Sequence, residues 1–343
     1  MQIICYEDDH VDQLRPVTQA RPAYAITCAS LRLIESLKRL ADKLGGTVSG
    51  SVRPYLEGIQ KLDFGITTPM PVDIAESVLL VNARLVPVAS LQATLGQLAS
   101  QKRSAVVLSD HDVVMAALIL PEDLQAHARR GLDDVSPRVD TLLEMARTLP
   151  KHESNLEAFT WPHEIVAWHM REMPAALQWR LEHEDYTQTV DGVFVKEGVS
   201  IGDYAAIDTS EGPILLDENV KVGPFCFLSG PVYAGPGARV IEHAALKDGV
   251  ALGHTVKIGG EVEASVIEPY TKKQHHGFLG HSYLGSWINL GAGTCNSDLK
   301  NTYGRINIQY GSKKVPTGMQ FLGCLVGDYS KTAVNTSIFT GKV

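Results

Sequence analysis

The sequence predicts an α/β domain of Rossmann-like layers over residues 1–185, followed by a left-handed parallel β-helix of hexapeptide repeats over residues 186–343. Three observations lead there. At 343 residues the chain is longer than one hydrophobic core usually organises. Its front half alternates short apolar runs with segments of helical periodicity. Beyond Asp191 the pattern changes to an aliphatic residue followed by glycine at short, regular intervals.

In the front half, Gln2 to Tyr6 reads as a strand that ends in the acidic run Glu7-Asp8-Asp9. The spacing of Leu31, Leu33, Ile34, Leu37, Leu40 and Leu44 predicts a helix over 30–44. Val78 to Asn82 and Ala105 to Leu108 are apolar runs of strand length, whereas 90–98, 139–149 and 162–170 read as helices. Such alternation predicts helices layered on a largely parallel sheet. Gly45, Gly46, Gly50 and Pro54 mark 45–64 as an irregular connection, and 133–138 reads as a second one.

The back half carries its repeat at Ile201-Gly202, Val222-Gly223, Leu252-Gly253, Ile258-Gly259, Leu279-Gly280, Leu284-Gly285, Leu290-Gly291 and Val326-Gly327. Several pairs lie five or six residues apart, too long for a helix stripe and too regular for hairpins. A triangular solenoid fits: the aliphatic residue points into the prism, and glycine allows the turn without a Cβ clash. The sequence ends at Thr340-Gly341-Lys342-Val343, still repeat-like, and further coils are expected beyond it.

Composition narrows the function. A net charge of −8 with scattered basic residues argues against nucleic-acid binding through phosphate neutralisation. No eighteen-residue apolar window and no basic-then-apolar leader is present, so no membrane partner is expected and a cytoplasmic protein is. Five widely spaced cysteines without a CxxC pair indicate reduced thiols rather than a disulfide framework or structural zinc.

Four segments carry a resemblance: Gly259 to Ile267, Gln274 to Ser282, Asn289 to Thr294, and Asp298 to Asn301. They resemble the sugar-phosphate nucleotidyltransferase/acetyltransferase family, which includes bifunctional enzymes of UDP-N-acetylglucosamine synthesis and a shorter bacterial variant. In the front half, Leu14-Arg15-Pro16-Val17-Thr18-Gln19-Ala20-Arg21-Pro22 is similar to the tail of the family's nucleotide-binding signature, and Val81 to Pro87 matches the variant. The resemblance implies a nucleotidyltransferase-like front domain, acetyl-CoA as co-substrate, a sugar phosphate and a nucleotide as small-molecule partners, a homotrimer, and Mg²⁺ where the front domain is active.

Acetyl transfer from a thioester to a sugar amine needs a base for the amine proton and donors for the developing oxyanion. Histidine suits the base role near neutral pH. The resemblance places His275 there, within the spacing His275, Phe278, Gly280, and places Asn289 and Phe278 at substrate-contacting positions, followed by Asn296 and Lys300. It also lays the pantetheine arm along Ala292, Gly293 and Thr294, where small residues permit close approach. Asn289 fits equally well in an asparagine ladder, and Lys300, Lys272 and Lys273 are otherwise solvated charges. His276 and His281 are read as supporting or surface residues. Glu263 stands where bifunctional relatives carry a phosphate-facing lysine, and His276 where the shorter variant carries an acid.

The front domain departs further from the family. Nucleotidyl transfer needs a glycine-rich loop around the triphosphate and carboxylates for Mg²⁺. Here Glu7 to Gln13 fills that loop without glycine, and Ala23 stands where relatives carry lysine. Arg15 and Arg21 are candidates for nucleotide binding or for pairing with Glu7, Asp8 or Asp9. Asp110 is a candidate metal ligand or, equally, the cap of a helix over 113–118. The leading expectation is an N-acetyltransferase acting on an amino-sugar phosphate. The alternatives are a bifunctional enzyme with an active UDP- or dTDP-sugar pyrophosphorylase domain, and a non-catalytic trimeric scaffold or sugar-nucleotide sensor. A metal-dependent hydratase using His254, His275, His276 and His281 stands last.

Overall fold

The computed structural model describes residues 1–69, 71–129 and 137–343. It divides into two compact units: Met1–Gln13, Ala20–Ile26 and Leu31–Thr160 form one, and Leu14–Gln19, Thr27–Ser30 and Trp161–Val343 form the other.

The first unit is built on five strands, β1 (Gln2–Tyr6), β2 (Thr47–Ser51), β3 (Val78–Asn82), β4 (Ala105–Leu108) and β5 (Val114–Ile119), in the order β2-β1-β3-β5-β4. Strand β1 runs parallel to both neighbours, with Ile4 opposite Ser49 and Leu80. Strand β5 runs antiparallel to β3 and β4, because only residues 109–113 join β4 to β5, far too few for a parallel crossover. Helices α1 (Leu33–Leu44), α2 (Glu57–Phe64), α3 (Leu91–Ala99), α4 (Pro121–Arg129) and α5 (Val139–Arg147) connect or cover the strands. On one side of the sheet Ile4, Leu80, Val106 and Ala117 pack with Leu142 and Ala146 of α5.

Two expectations are corrected here. Residues 45–64 are not irregular: they form β2 and α2. Glycine within a strand weakens the local signal, yet Gly50 is required, since a Cβ there would lie 2.4 Å from Oε1 of the buried Gln60. The helix considered over 113–118 is strand β5, buried along its whole length, so Asp110 caps no helix. Of the connection over 133–138, residues 133–136 lie outside the described residues, and Pro137-Arg138 leads into α5.

The second unit is a parallel β-helix. Its first face is a five-stranded sheet, Ser200–Ile201, Lys221–Val222, Arg239–Val240, Lys257–Ile258 and Lys272–Lys273. The second face stacks Ala206–Asp208, Phe227–Ser229 and the leading halves of Ala245–Leu252 and Glu261–Ile267, then Phe278–Gly280. The third runs from Val193–Val195 through Ile214–Leu216 and Val232–Ala234 to Tyr283–Leu284 and Leu325–Val326. Val222, Val240, Ile258, Leu228, Leu246 and Val262 are among the side chains that fill the prism. The glycine after an aliphatic residue sits where the next coil passes closely: a Cβ on Gly253 would lie 2.6 Å from the Pro269 nitrogen.

Helix α6 (Glu164–His183) packs on the third face, against the strands Ala245–Leu252 and Glu261–Ile267. It is longer than the expected 162–170 and continues through Pro174. The reason lies in its buried stripe, Ile165, Val166, His169, Met173, Leu177 and Arg180, which keeps helical spacing past the proline and gains more from burial than the missing hydrogen bond costs.

Glu268 pins the short segment Thr27–Ser30 to the solenoid. This fully buried carboxylate accepts hydrogen bonds from the Thr27 N–H (2.8 Å), the Thr27 hydroxyl (2.9 Å) and the Tyr283 hydroxyl (2.7 Å). Glu268→Leu strands these buried donors and is expected to destabilise this unit by about 2 kcal/mol. Urea unfolding followed by tryptophan fluorescence checks this, because all four tryptophans (161, 168, 179 and 287) lie in the second unit.

Candidate active site

His275 and His276 form the exposed bend that carries the chain from the first face to the second. The bend is held from inside the prism. Lys273 occupies the interior row in register with Ile258, is 2% exposed, and donates from Nζ to the carbonyls of Gly259 (2.7 Å), His275 (3.2 Å) and Gly277 (2.7 Å). Burial pushes its ammonium down to a pKa of about 8, against the opposing pull of Cys295 and Glu261. A lysine in an aliphatic row is a signal the sequence carried, but its solvated-charge reading hid it.

The next coil seats itself on this bend. The Gly293 N–H donates to the His276 carbonyl at 3.3 Å, and a Cβ on Gly293 would come within 3.4 Å of His276 Nε2. Thr294 is buried, with its hydroxyl 2.9 Å from that of Thr332. Asn289 is exposed on the first face, bridged on one side to Lys272 and on the other to Lys331. His275, Asn289, Ala292, Gly293 and Thr294 thus gather at one edge of the prism and the face beside it.

Phe278, Asn296 and Lys300 do not join them. Asn296 is buried, and its amide clamps both backbone groups of Gly280, accepting from the N–H (2.9 Å) and donating to the carbonyl (3.0 Å). Lys300 donates to the Arg305 carbonyl in the insertion that interrupts the repeat. Phe278 leans over Gly280 toward Asp298, since a Cβ on Gly280 would lie 2.5 Å from both side chains.

At that opposite edge stands a group assembled from three of the quoted segments. His281 Nδ1 lies 2.8 Å from Asp298 Oδ2, and the imidazole stacks on Phe321 with centroids 5.2 Å apart. Glu263 completes a set whose ligand atoms lie within 4.8 Å of one another. Burial raises the Glu263 carboxyl, with Asp298 and Asp248 adding to the shift and Lys247 opposing it. Chain position gave no hint of this meeting, because the residues lie on three successive coils.

In the first unit Glu7 and Asp8 of the acidic loop after β1 are engaged by protein cations, and Asp9 is exposed. Glu7 receives Arg53 through Nε (3.0 Å) and Nη2 (3.1 Å), together with the N–H groups of Ala23 (2.9 Å) and Arg53 (3.0 Å). Asp8 receives Arg84 at 2.7 and 2.6 Å and the Asn82 amide at 2.8 Å. Burial alone would raise the Asp8 carboxyl, but Arg84 and Asn82 hold it below its ordinary range. Arg21 is buried and faces the Ala25 carbonyl at 3.5 Å, whereas Arg15 is exposed and belongs to the second unit.

Asp110 is exposed in the β4–β5 turn, at a cleft of about 390 Å³ that His10, Arg84, Ser109 and Glu157 also line. The cleft opens beyond the carboxyl ends of β1 and β3, the usual ligand position in an α/β sheet. Arg84 on its wall is engaged by Asp8, and no three protein ligand groups converge among the described residues of this unit. No helix among the described residues is long and apolar enough to cross a membrane, and the five cysteines are free thiols.

The chain is similar to known proteins over part of its length. The chain is 33% identical over 115 residues to the Bifunctional protein GlmU of Cupriavidus pinatubonensis, covering 32% of this chain and 24% of that protein. It is 26% identical over 166 residues to the Bifunctional sugar-1-phosphate nucleotidylyltransferase/acetyltransferase of Sulfurisphaera tokodaii, covering 48% of this chain and 39% of that protein. GlmU of Paracoccus denitrificans is 36% identical over 89 residues, 25% of this chain and 20% of the relative. The matches therefore span well under half the length of these relatives. The family model described as Sugar nucleotidyl transferase matches residues 3–181, just over half of the sequence, and the chain belongs to that family.

Proposed function

We propose that the protein is an acetyl-CoA-dependent N-acetyltransferase acting on an amino-sugar phosphate of the glucosamine-1-phosphate type, in the service of nucleotide-sugar synthesis. The observation that carries this reading is the exposed His275 bend, pinned by Lys273 and stacked against Ala292, Gly293 and Thr294. His275 accepts the proton that the acceptor amine loses as it attacks the thioester carbonyl. The small residues beside it let the thioester arm lie against the coil, and Asn289 offers its amide to the sugar. The relatives' names, which join nucleotidylyl transfer to acetyl transfer, support the same chemistry.

A homotrimer completes the site in this reading. The edge that carries His275 also bears Tyr204 and Phe225, 79% and 52% exposed and stacked with centroids 5.1 Å apart. Apolar surface in line with the candidate base favours a neighbouring copy there, so that acceptor and thioester meet between chains.

The test is thiol release from acetyl-CoA in the presence of glucosamine 1-phosphate. Wild type is expected to release thiol and His275→Gln to lose nearly all of it; equal rates would remove the base assignment.

The front unit, in this reading, keeps the fold but not the turnover, because Glu7 and Asp8 with their arginines occupy the loop where a triphosphate would be wrapped. Pyrophosphate release from UTP or dTTP with a sugar 1-phosphate and Mg²⁺ is expected to stay at background. Sustained release would establish the bifunctional alternative, and silence in both assays would leave the scaffold or sensor.

A further inference from the structure

The first face of the β-helix carries a single file of cations. Parallel pairing sets Lys221, Arg239, Lys257 and Lys272 in one register row, and the bridges of Asn289 to Lys272 and to Lys331 extend it by two coils. The alternate residues Val222, Val240, Ile258 and Lys273 are buried, so the row points outward. None of these five cations forms an ion pair among the described residues. No acidic residue stands two positions before or after any row member, although the chain as a whole is at −8. The five span about 24 Å at a coil spacing of roughly 4.8 Å. Like charges set directly opposite one another destabilise a sheet, so folding alone does not account for the row.

The flanks of the row describe its ligand. On one side the positions two residues on are Gly223, Ile241, Gly259, Gln274, Gly291 and Ala333, most of them without a large side chain. On the other, Tyr270, Trp287 and Tyr329 are 37%, 50% and 56% exposed. Tyr270 and Trp287 stack on each other at 4.3 Å, so no nucleobase can insert between these two rings. Asn289 and Gln274 add amides suited to hydroxyl groups. Five cations over six coils, with Asn289 in the remaining place, match a linear ligand with an anion on nearly every repeat, and the coil rise is close to the length of one sugar ring in an extended chain. We propose that this face binds a linear acidic glycan, one anionic group per sugar, laid along the prism. This does not depend on the acetyl-transfer reading.

The test is calorimetric titration of the full chain with an oligogalacturonate of about ten sugars, a neutral oligosaccharide of equal length, and inorganic polyphosphate. Saturable binding of the oligogalacturonate is expected, lost at about 0.5 M salt and absent for the neutral chain. Lys257→Gln combined with Lys272→Gln is expected to weaken it roughly tenfold, while the urea midpoint stays equal or rises as repulsion is relieved. Five outcomes overturn the proposal: no binding to the oligogalacturonate, equal binding of the neutral chain, tighter binding of polyphosphate, unchanged affinity in the double variant, or a change in its oligomeric mass that would place the row between copies.

Discussion

His275→Gln is expected to lower kcat for thiol release by about 10² to 10⁴, the usual contribution of a positioned general base, with KM for acetyl-CoA little changed. The loss falls on kcat because the imidazole acts on a proton that moves only in the transition state, whereas the coil wall that receives the thioester arm is left intact. Lys273 is a positioning residue in this scheme. Its ammonium ties together the carbonyls of Gly259, His275 and Gly277, so it decides where the bend stands without touching substrate. Lys273→Met is expected to reduce kcat roughly tenfold, again with little change in KM, and Lys273→Arg to recover part of the loss. A fall in KM affinity matching the fall in kcat would mean that the lysine supports the whole coil rather than the base.

Acidification from pH 7 to pH 4 is expected to destabilise the second unit through His169 and His163. His169 is fully buried; its Nδ1 accepts from the Ala29 N–H at 3.2 Å and its Nε2 faces the Gly249 carbonyl at 3.1 Å, a pairing only the neutral ring satisfies. Burial pushes its pKa down to about 4, with the Gly249 bond opposing and His281 adding to the shift. Burial alone pushes His163 down to about 4, and its Nδ1 has no hydrogen-bond partner among the described residues. Both rings are neutral in the folded state, while the unfolded chain takes up protons from about pH 6.5 downward. Stability from each is therefore complete above pH 6.5 and is lost as pH falls toward 4, by about 3 kcal/mol per ring. Urea midpoints read by tryptophan fluorescence at several pH values measure the slope. His169→Gln, whose amide offers one acceptor and one donor, is expected to remove about half of it, and an unchanged slope would refute the assignment.

Legibility followed the range of the interactions. The strands Gln2–Tyr6, Val78–Asn82 and Ala105–Leu108 were readable because each is a short apolar run buried within its own sheet. Residues 45–64 were misread because Gly46 and Gly50, signs of a loop when taken alone, are demanded by close approaches to Met1, far back in the chain, and to Gln60 on the helix that follows the strand. In the candidate site, His275 was found through local spacing. The role of Lys273 was missed because it depends on three carbonyls spread over two coils, and the meeting of Glu263, His281 and Asp298 because coil stacking alone brings them together.

The sequence by itself determined that the back half is a β-helix. A six-residue alternation of aliphatic side chain and glycine repeats one local rule, and the same rule places the His275 bend at a prism edge. Only the tertiary structure decided which outward residues align from coil to coil, which charges are left without partners, and that Glu7 and Asp8 are closed off by Arg53 and Arg84. The physical reason is distance along the chain. A turn depends on its own few residues, whereas register and ion pairing join groups 15 to 76 positions apart, whose meeting no local pattern encodes.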